Sequence, residues 1–168
     1  MNRADETGAI GDDSPAAFSN WVEPHWPAMA ALARRLAIPD WEDVLQEALG
    51  SAWRKRTQFD PARGSARNWL LAITADQARK SKRRFRPIPV ADAFDSAAPG
   101  SDKALELDLE QAIARLTPRQ QLAVNLRYFL GLPIAELATV MACSEGTAKS
   151  TLADARRLIR ANLGEDYR

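Results

Sequence analysis

The chain has almost none of the residues that build metal cages or covalent cross-links. Its 168 residues include one cysteine, Cys143, and one histidine, His25. A single cysteine excludes an internal disulfide, and one His with one Cys argues against a metal centre. No apolar run approaches the 18 residues of a membrane helix, and the N-terminus is acidic rather than signal-like. The expectation is a cytoplasmic protein without membrane insertion. The chain also lacks a Ser/His/Asp set, a nucleotide-binding glycine loop and metal-ligand spacing. These absences argue against an enzyme, a cofactor and a small-molecule substrate.

What is present is charge sorted by position. The formal net charge is +1, yet residues 1–48 carry −6, residues 49–86 carry +9, residues 87–115 carry −4 and residues 116–168 carry +2. Phosphate contacts are local and scale with the cations in the footprint, so the segment 49–86 predicts an anionic partner that the total hides. Arg79, Lys80, Lys82, Arg83, Arg84 and Arg86 place six cations in eight residues. No acidic residue is expected locally to pair with them, whereas a merely solvated face mixes signs. Phe85 and Trp69 are candidates to stack on an unpaired base, or to belong to the core.

The apolar pattern is helical throughout. Ser14-Pro15 reads as a cap followed by proline at the first helical position, after a disordered tail over 1–14. Phe18, Trp21 and Val22 begin an apolar face that Pro24 and Pro27 interrupt, and Met29, Leu32, Ala33 and Leu36 resume it. Ile38-Pro39-Asp40 ends that helix, with Asp40 expected to cap the next. From about Asp40 to Arg56, Trp41, Val44, Leu45, Ala48, Leu49, Ala52 and Trp53 form one wide apolar stripe. Asp43, Gln46 and Glu47 fall on the opposite side, while Asp40, Glu42 and Asp43 also suit the helix dipole. Phe59–Ser65 reads as a turn, with Ser65 or Gly64 capping a helix whose buried edge is Trp69, Leu70 and Ile73.

Residues 87–103, rich in proline and alanine, read as a linker between two domains, 15–86 and 104–168. Leu105, Leu109, Ala112, Ile113 and Leu116 form the next apolar face. Thr117-Pro118 starts a helix carrying Leu122, Leu126, Phe129 and Leu130, which Gly131 ends. Pro133 opens a short helix with Ile134, Leu137, Ala138 and Met141. After the Ala142-Cys143 turn, Ser144 caps a last helix burying Ala148, Leu152, Ala155 and Ile159. That is the helix-turn-helix arrangement, and any amphipathic helical hairpin shares part of its pattern. The outer face of the last helix carries Thr147, Lys149, Ser150, Ala153, Arg156, Arg157 and Arg160, chemistry that suits a major-groove reader. Cys143 reads as a small core residue and His25 as structural.

The two halves together are more specific than either alone. DWEDVLQEALGSAWRKRTQFDPARGSARNWLLAITADQARKSKRR resembles region 2 of the extracytoplasmic-function (group 4, sigma-70 family) bacterial sigma factors. LTPRQQLAVNLRYFLGLPIAELATVMACSEGTAKSTLADARRLIRANL resembles region 4 of the same family. The resemblance implies an all-α protein of two small helical domains, a region 2 bundle and a region 4 helix-turn-helix, joined by a flexible linker. It implies a promoter-specificity factor for core RNA polymerase, without catalysis of its own. Asp40, Glu42, Asp43, Gln46 and Glu47 would meet the β′ clamp helices, and region 4 the β flap. Trp69, Asp76, Arg79, Lys80, Lys82, Arg83 and Arg84 would hold the minus-ten element. Glu145, Thr147, Lys149, Ser150, Arg156 and Arg157 would read the minus-thirty-five element. An anti-sigma protein is a further partner the resemblance admits.

The chain departs from the family pattern at four positions. Asp76 stands where Asn is usual, Lys80 where Asp is usual, and Thr151 and Asp154 where Arg is usual. An acidic group at 76 would repel phosphate, which raises the alternative of a sigma-like mimic that sequesters an anti-sigma protein. A simple DNA-binding repressor is a third reading and leaves the acidic Asp40–Glu47 face unused.

Overall fold

A computed structural model describes residues 14–84 and 102–163; residues 1–13 of the expected tail, 87–101 of the expected linker, Phe85 and Arg86 lie outside the described residues, while Asp102 and Lys103, expected in the linker, already belong to a helix. Every regular element among the described residues is helical. Helix α1 (Pro15–Val22) starts where expected: Ser14 Oγ accepts the Ala17 N–H at 3.2 Å, and Pro15 takes the first position. The two prolines downstream convert the chain to a 3₁₀ turn over Glu23–His25 before α2 (Trp26–Leu36). Helix α3 spans Trp41–Lys55 and α4 spans Ala66–Arg84.

One capping expectation fails. Asp40 occupies the N-cap position of α3, but its carboxylate makes no capping hydrogen bond; only its backbone carbonyl engages, taking the Val44 N–H at 3.0 Å. Its side chain, like those of Glu42 and Asp43, is left to act through charge at the positive helix end. Ser65 does cap α4, its Oγ accepting the Asn68 N–H at 3.2 Å.

Helices α2, α3 and α4 pack on one another because each turns an apolar stripe inward. Met29, Leu32, Leu70 and Leu71 are fully buried, and Ala48 and Ala52, without bulk beyond Cβ, let α3 approach closely. Each buried leucine contributes roughly 2–3 kcal/mol of transfer free energy. Trp21, Phe59 and Trp69 form an aromatic wall beside this core, with ring centroids 5.2, 5.6 and 5.9 Å apart.

In the C-terminal half, α5 (Asp102–Ala114) buries Ala112 and Ile113, but Leu109 is exposed rather than on the core face. Thr117 opens α6 (Pro118–Val124) with a reciprocal capping box: its Oγ1 accepts the Gln120 N–H at 3.3 Å, and Gln120 Oε1 accepts the Thr117 N–H at 3.1 Å. The helix expected to run on to Leu130 does not. A π-helical turn replaces it over Asn125–Phe129, closed by Leu130 N–H to Asn125 O at 3.0 Å. The wider turn shifts the angular register, so Leu126 stays buried while Tyr128 and Phe129 face solvent. Gly131, at φ +70°, ends the segment as expected.

Helix α7 (Ile134–Val140), the turn through Ala142 and α8 (Glu145–Leu163) complete the fold. Ser144 caps α8 by accepting the Thr147 N–H at 3.1 Å. Leu137, Ala138, Ala148 and Leu152 are buried between α7 and α8, which is the small-residue seam a helix-turn-helix requires. The halves are not separate beads: α4 packs on α7, and the buried apolar cluster runs from one half into the other.

Candidate nucleic-acid and polymerase interface

Three faces carry the side chains singled out from sequence. On α3, Glu42, Asp43, Gln46 and Glu47 are all exposed, opposite the buried row Val44, Leu45, Ala48 and Ala52. The stripe arithmetic alone places them together, since positions one turn apart share a face. Ser51, on the same helix, is buried, which the apolar pattern does not reveal.

The second face is α4. Arg79 and Lys80 are exposed, but the expectation that this cation run has no acidic partner is wrong. Asp76 takes Arg79 Nη2 at 2.5 Å and Lys80 Nζ at 2.7 Å, one helical turn away. Burial pushes the Asp76 carboxyl upward, but hydrogen bonds and charge from Lys80 and Arg79 outweigh it and hold the group below its ordinary value. The acid at 76 is therefore paired within its own helix, and it draws on two of the cations of that face. Lys82 donates to Gln121 Oε1 across the molecule at 3.1 Å, and partial desolvation lowers its pKa. Arg83 and Arg84 belong to the last turn of α4.

Trp69 is half-buried in the aromatic wall. It also lines a cleft of about 240 Å³ together with Phe59, Asp60, Arg63 and Asn68. Asn68 is 5% exposed, and its Oδ1 has no hydrogen-bond partner. A buried amide oxygen without a donor costs roughly 1–3 kcal/mol, which a ligand donor would relieve. Sequence reasoning did not single out Asn68, Asp60 or Arg63; only the turn signal over 59–65 pointed near them. Asp60 shapes this turn by accepting the Ala62 N–H at 2.9 Å.

The third face is the outside of α8. Glu145, Thr147, Lys149, Ser150, Arg156 and Arg157 are all exposed on the side away from Ala148, Leu152 and Ala155. Lys149 lies 3.9 Å from Glu145, and Arg157 donates to Asp154 at 3.1 Å. Thr151 Oγ1 donates to Thr147 O at 2.8 Å, so this hydroxyl is turned back on its own helix. Thr151 and Asp154, where the resemblance led to the expectation of arginine, place no cation beside this exposed row.

Helical throughout its described residues, with a helix-turn-helix in one half and a cation-ended helix beside an aromatic cleft, the chain has the features of a DNA-binding transcription protein. Its family follows from comparison. Residues 21–86 match the Sigma-70 region 2 family, and residues 106–159 match Sigma-70, region 4. The chain is 30% identical over 148 residues to the ECF RNA polymerase sigma factor SigK of Mycolicibacterium vanbaalenii, covering 79% of this chain and 74% of that one. Among solved structures, CnrH in complex with the cytosolic domain of CnrY superposes with a TM-score of 0.68 at 28% identity, covering 92% of this chain and 91% of that one. The sigma factor RpoE in complex with the anti-sigma factor NepR from Bartonella quintana gives 0.66 at 25% identity, covering 89% and 98%. The chain belongs to the extracytoplasmic-function sigma factors and is a promoter-specificity factor of transcription initiation.

Proposed function

We propose that the three faces divide the work of initiation. The acidic and amide side chains Asp43, Gln46 and Glu47 on α3, flanked by Asp40 and Glu42, dock on the β′ clamp helices of core polymerase, and region 4 meets the β flap. The C-terminal cations of α4 hold the minus-ten backbone. The cleft between Phe59, Trp69 and Asn68 takes a base turned out of the non-template strand. The outer face of α8 reads the minus-thirty-five duplex, with Thr147, Lys149 and Ser150 toward the bases and Arg156 and Arg157 toward phosphate.

The observation that carries this reading is the cleft. It combines aromatic walls for stacking, an unpaired buried amide oxygen for a base donor and an arginine, Arg63, at its edge. The ion pairs of Asp76 with Arg79 and Lys80 weaken the objection to promoter binding and support the working sigma factor over the mimic. An anti-sigma protein is the regulator we expect, since the similar sigma factor RpoE has been solved bound to the anti-sigma factor NepR.

Run-off transcription with purified core polymerase tests the whole reading: discrete transcripts that require this chain are expected. Replacing Asp43→Lys together with Gln46→Ala should weaken core binding on the order of tenfold or more while the helical signal stays unchanged. Unaltered affinity for core enzyme would overturn the α3 assignment.

A further inference from the structure

Beside α4, at the start of α6, lies a cavity of about 570 Å³ that none of the three faces uses. Its floor is apolar, formed by Leu36, Leu122, Val140 and Met141. Leu36, Val140 and Met141 are buried in the core, so packing holds the floor in place. Ala72 and Ala75 form the α4 wall, and their short side chains leave the space open. The volume falls within the range of roughly 300–1,000 Å³ that small-molecule sites occupy.

The rim is predominantly cationic. Arg79 and Lys82 of α4 and Arg119 of α6 line the mouth, and Asp76 is the one carboxylate among the lining residues. Asp76 is already engaged by Arg79 and Lys80. Among the described residues, no carboxylate lies within ion-pair distance of Lys82 or Arg119. Lys82 donates to Gln121 Oε1, a neutral acceptor, and desolvation disfavours its charged form. Two cations without a counter-ion therefore border an apolar hollow.

A molecule that satisfies both features has an apolar body and an anionic head. The body leaves water for the floor, and the head takes charge-assisted hydrogen bonds from Lys82 and Arg119. A neutral apolar molecule leaves both cations unpaired, and a cationic one meets like charge. A wholly polar anion gains nothing from the floor.

We propose that this cavity binds a small amphipathic anion of the medium-chain carboxylate class, and that ligand and promoter DNA exclude one another because both use Arg79 and Lys82. The site itself stands on the cavity and its rim; the competition rests on the promoter reading given above. A bound head group occupies cations that otherwise hold the minus-ten backbone, so the ligand is a negative effector of promoter binding. By linkage, bound DNA weakens the ligand by the same factor.

Titration of the full-length chain with octanoate, followed by methyl NMR, tests the site; octanol and octyltrimethylammonium serve as the neutral and cationic probes. Octanoate should shift the methyl signals of Leu36, Leu122, Val140 and Met141 and bind about tenfold more tightly than either other probe. Lys82→Gln combined with Arg119→Gln should weaken octanoate about tenfold and leave octanol and the helical signal unchanged, since both side chains are exposed. Ala75→Trp, which fills the cavity from α4, should remove binding of all three. Equal affinity for the three probes, or unchanged octanoate affinity in the rim variant, would overturn the site. The non-template strand of a promoter mapped by run-off transcription should bind more weakly in saturating octanoate, and octanoate more weakly by the same factor when the strand is bound. Octanoate binding that leaves DNA affinity unaltered would overturn the competition. Octanoate binding by a chain that yields no transcripts would support the site and overturn the promoter reading instead.

Discussion

Helices α4 and α8 invite comparison. Each spans 19 residues, each begins behind a serine cap, and each carries cations along its exposed side. Their burial differs. Helix α4 packs against α2, α3 and α7 and buries Leu70, Leu71 and Thr74 completely. Helix α8 packs on α5, α6 and α7 along a single row, Ala148, Leu152 and Ala155. A helix wrapped on several sides can offer DNA only its rim and its C-terminal end. A helix seated on one narrow row of small residues keeps a whole face for a groove. The first geometry suits gripping a strand beside a cleft, the second reading a duplex.

The largest test of this difference is core truncation. Leu70→Ala should lower unfolding free energy by about 3 kcal/mol, and hydrogen exchange should quicken in both halves because α4 is shared by them. Leu152→Ala should cost about as much, with faster exchange confined to region 4. Equal spread from both substitutions would break the comparison. Next in size is the phosphate contact of α8. Replacing Arg156→Ala and Arg157→Ala should weaken binding to minus-thirty-five duplexes of any sequence and make the logarithmic salt dependence shallower by about two. An unaltered slope would remove these arginines from the interface.

The smallest effect is at Asp76. Asp76→Asn frees Arg79 and Lys80, so the salt dependence of minus-ten binding should steepen by about one. Because the folded-state carboxyl is held below its ordinary value, its stabilising contribution is present above the normal carboxylate pKa and fades as pH falls through the lowered one. The ion pairs are solvent-exposed on the cation side, so this contribution should be about 0.5 kcal/mol or less. Acid titration of stability in the wild type and in Asp76→Asn, which cannot titrate there, measures it. A larger acid-dependent loss in the variant would reverse the assignment.

Much of this molecule was legible in order along the chain. Ser14, Thr117 and Ser144 announced their helices because a cap needs only residues three positions apart. The acidic face of α3 and the exposed row of α8 followed from a period of 3.6. The failures have a common cause. Phe129 fits the helical period, but the π turn it sits in changes that period, and the turn is coupled to Arg35 at a site distant in sequence. Leu109 fits a stripe that the packed half leaves uncovered. Asp76 looked like a repulsive charge because composition counts charges without saying which touch.

By itself the sequence determined the helical class and the starts at Ser14, Thr117 and Ser144, which depend on short-range periodicity and capping, and the resemblance of its two motif stretches carried the sigma family. Tertiary structure alone decided that α4 rests on α7, that Asn68 lines a cleft with an unpaired oxygen and that Arg35 meets Asn125 across 90 positions of chain. The physical reason is that packing chooses which of several possible faces come together, and no local period encodes that choice.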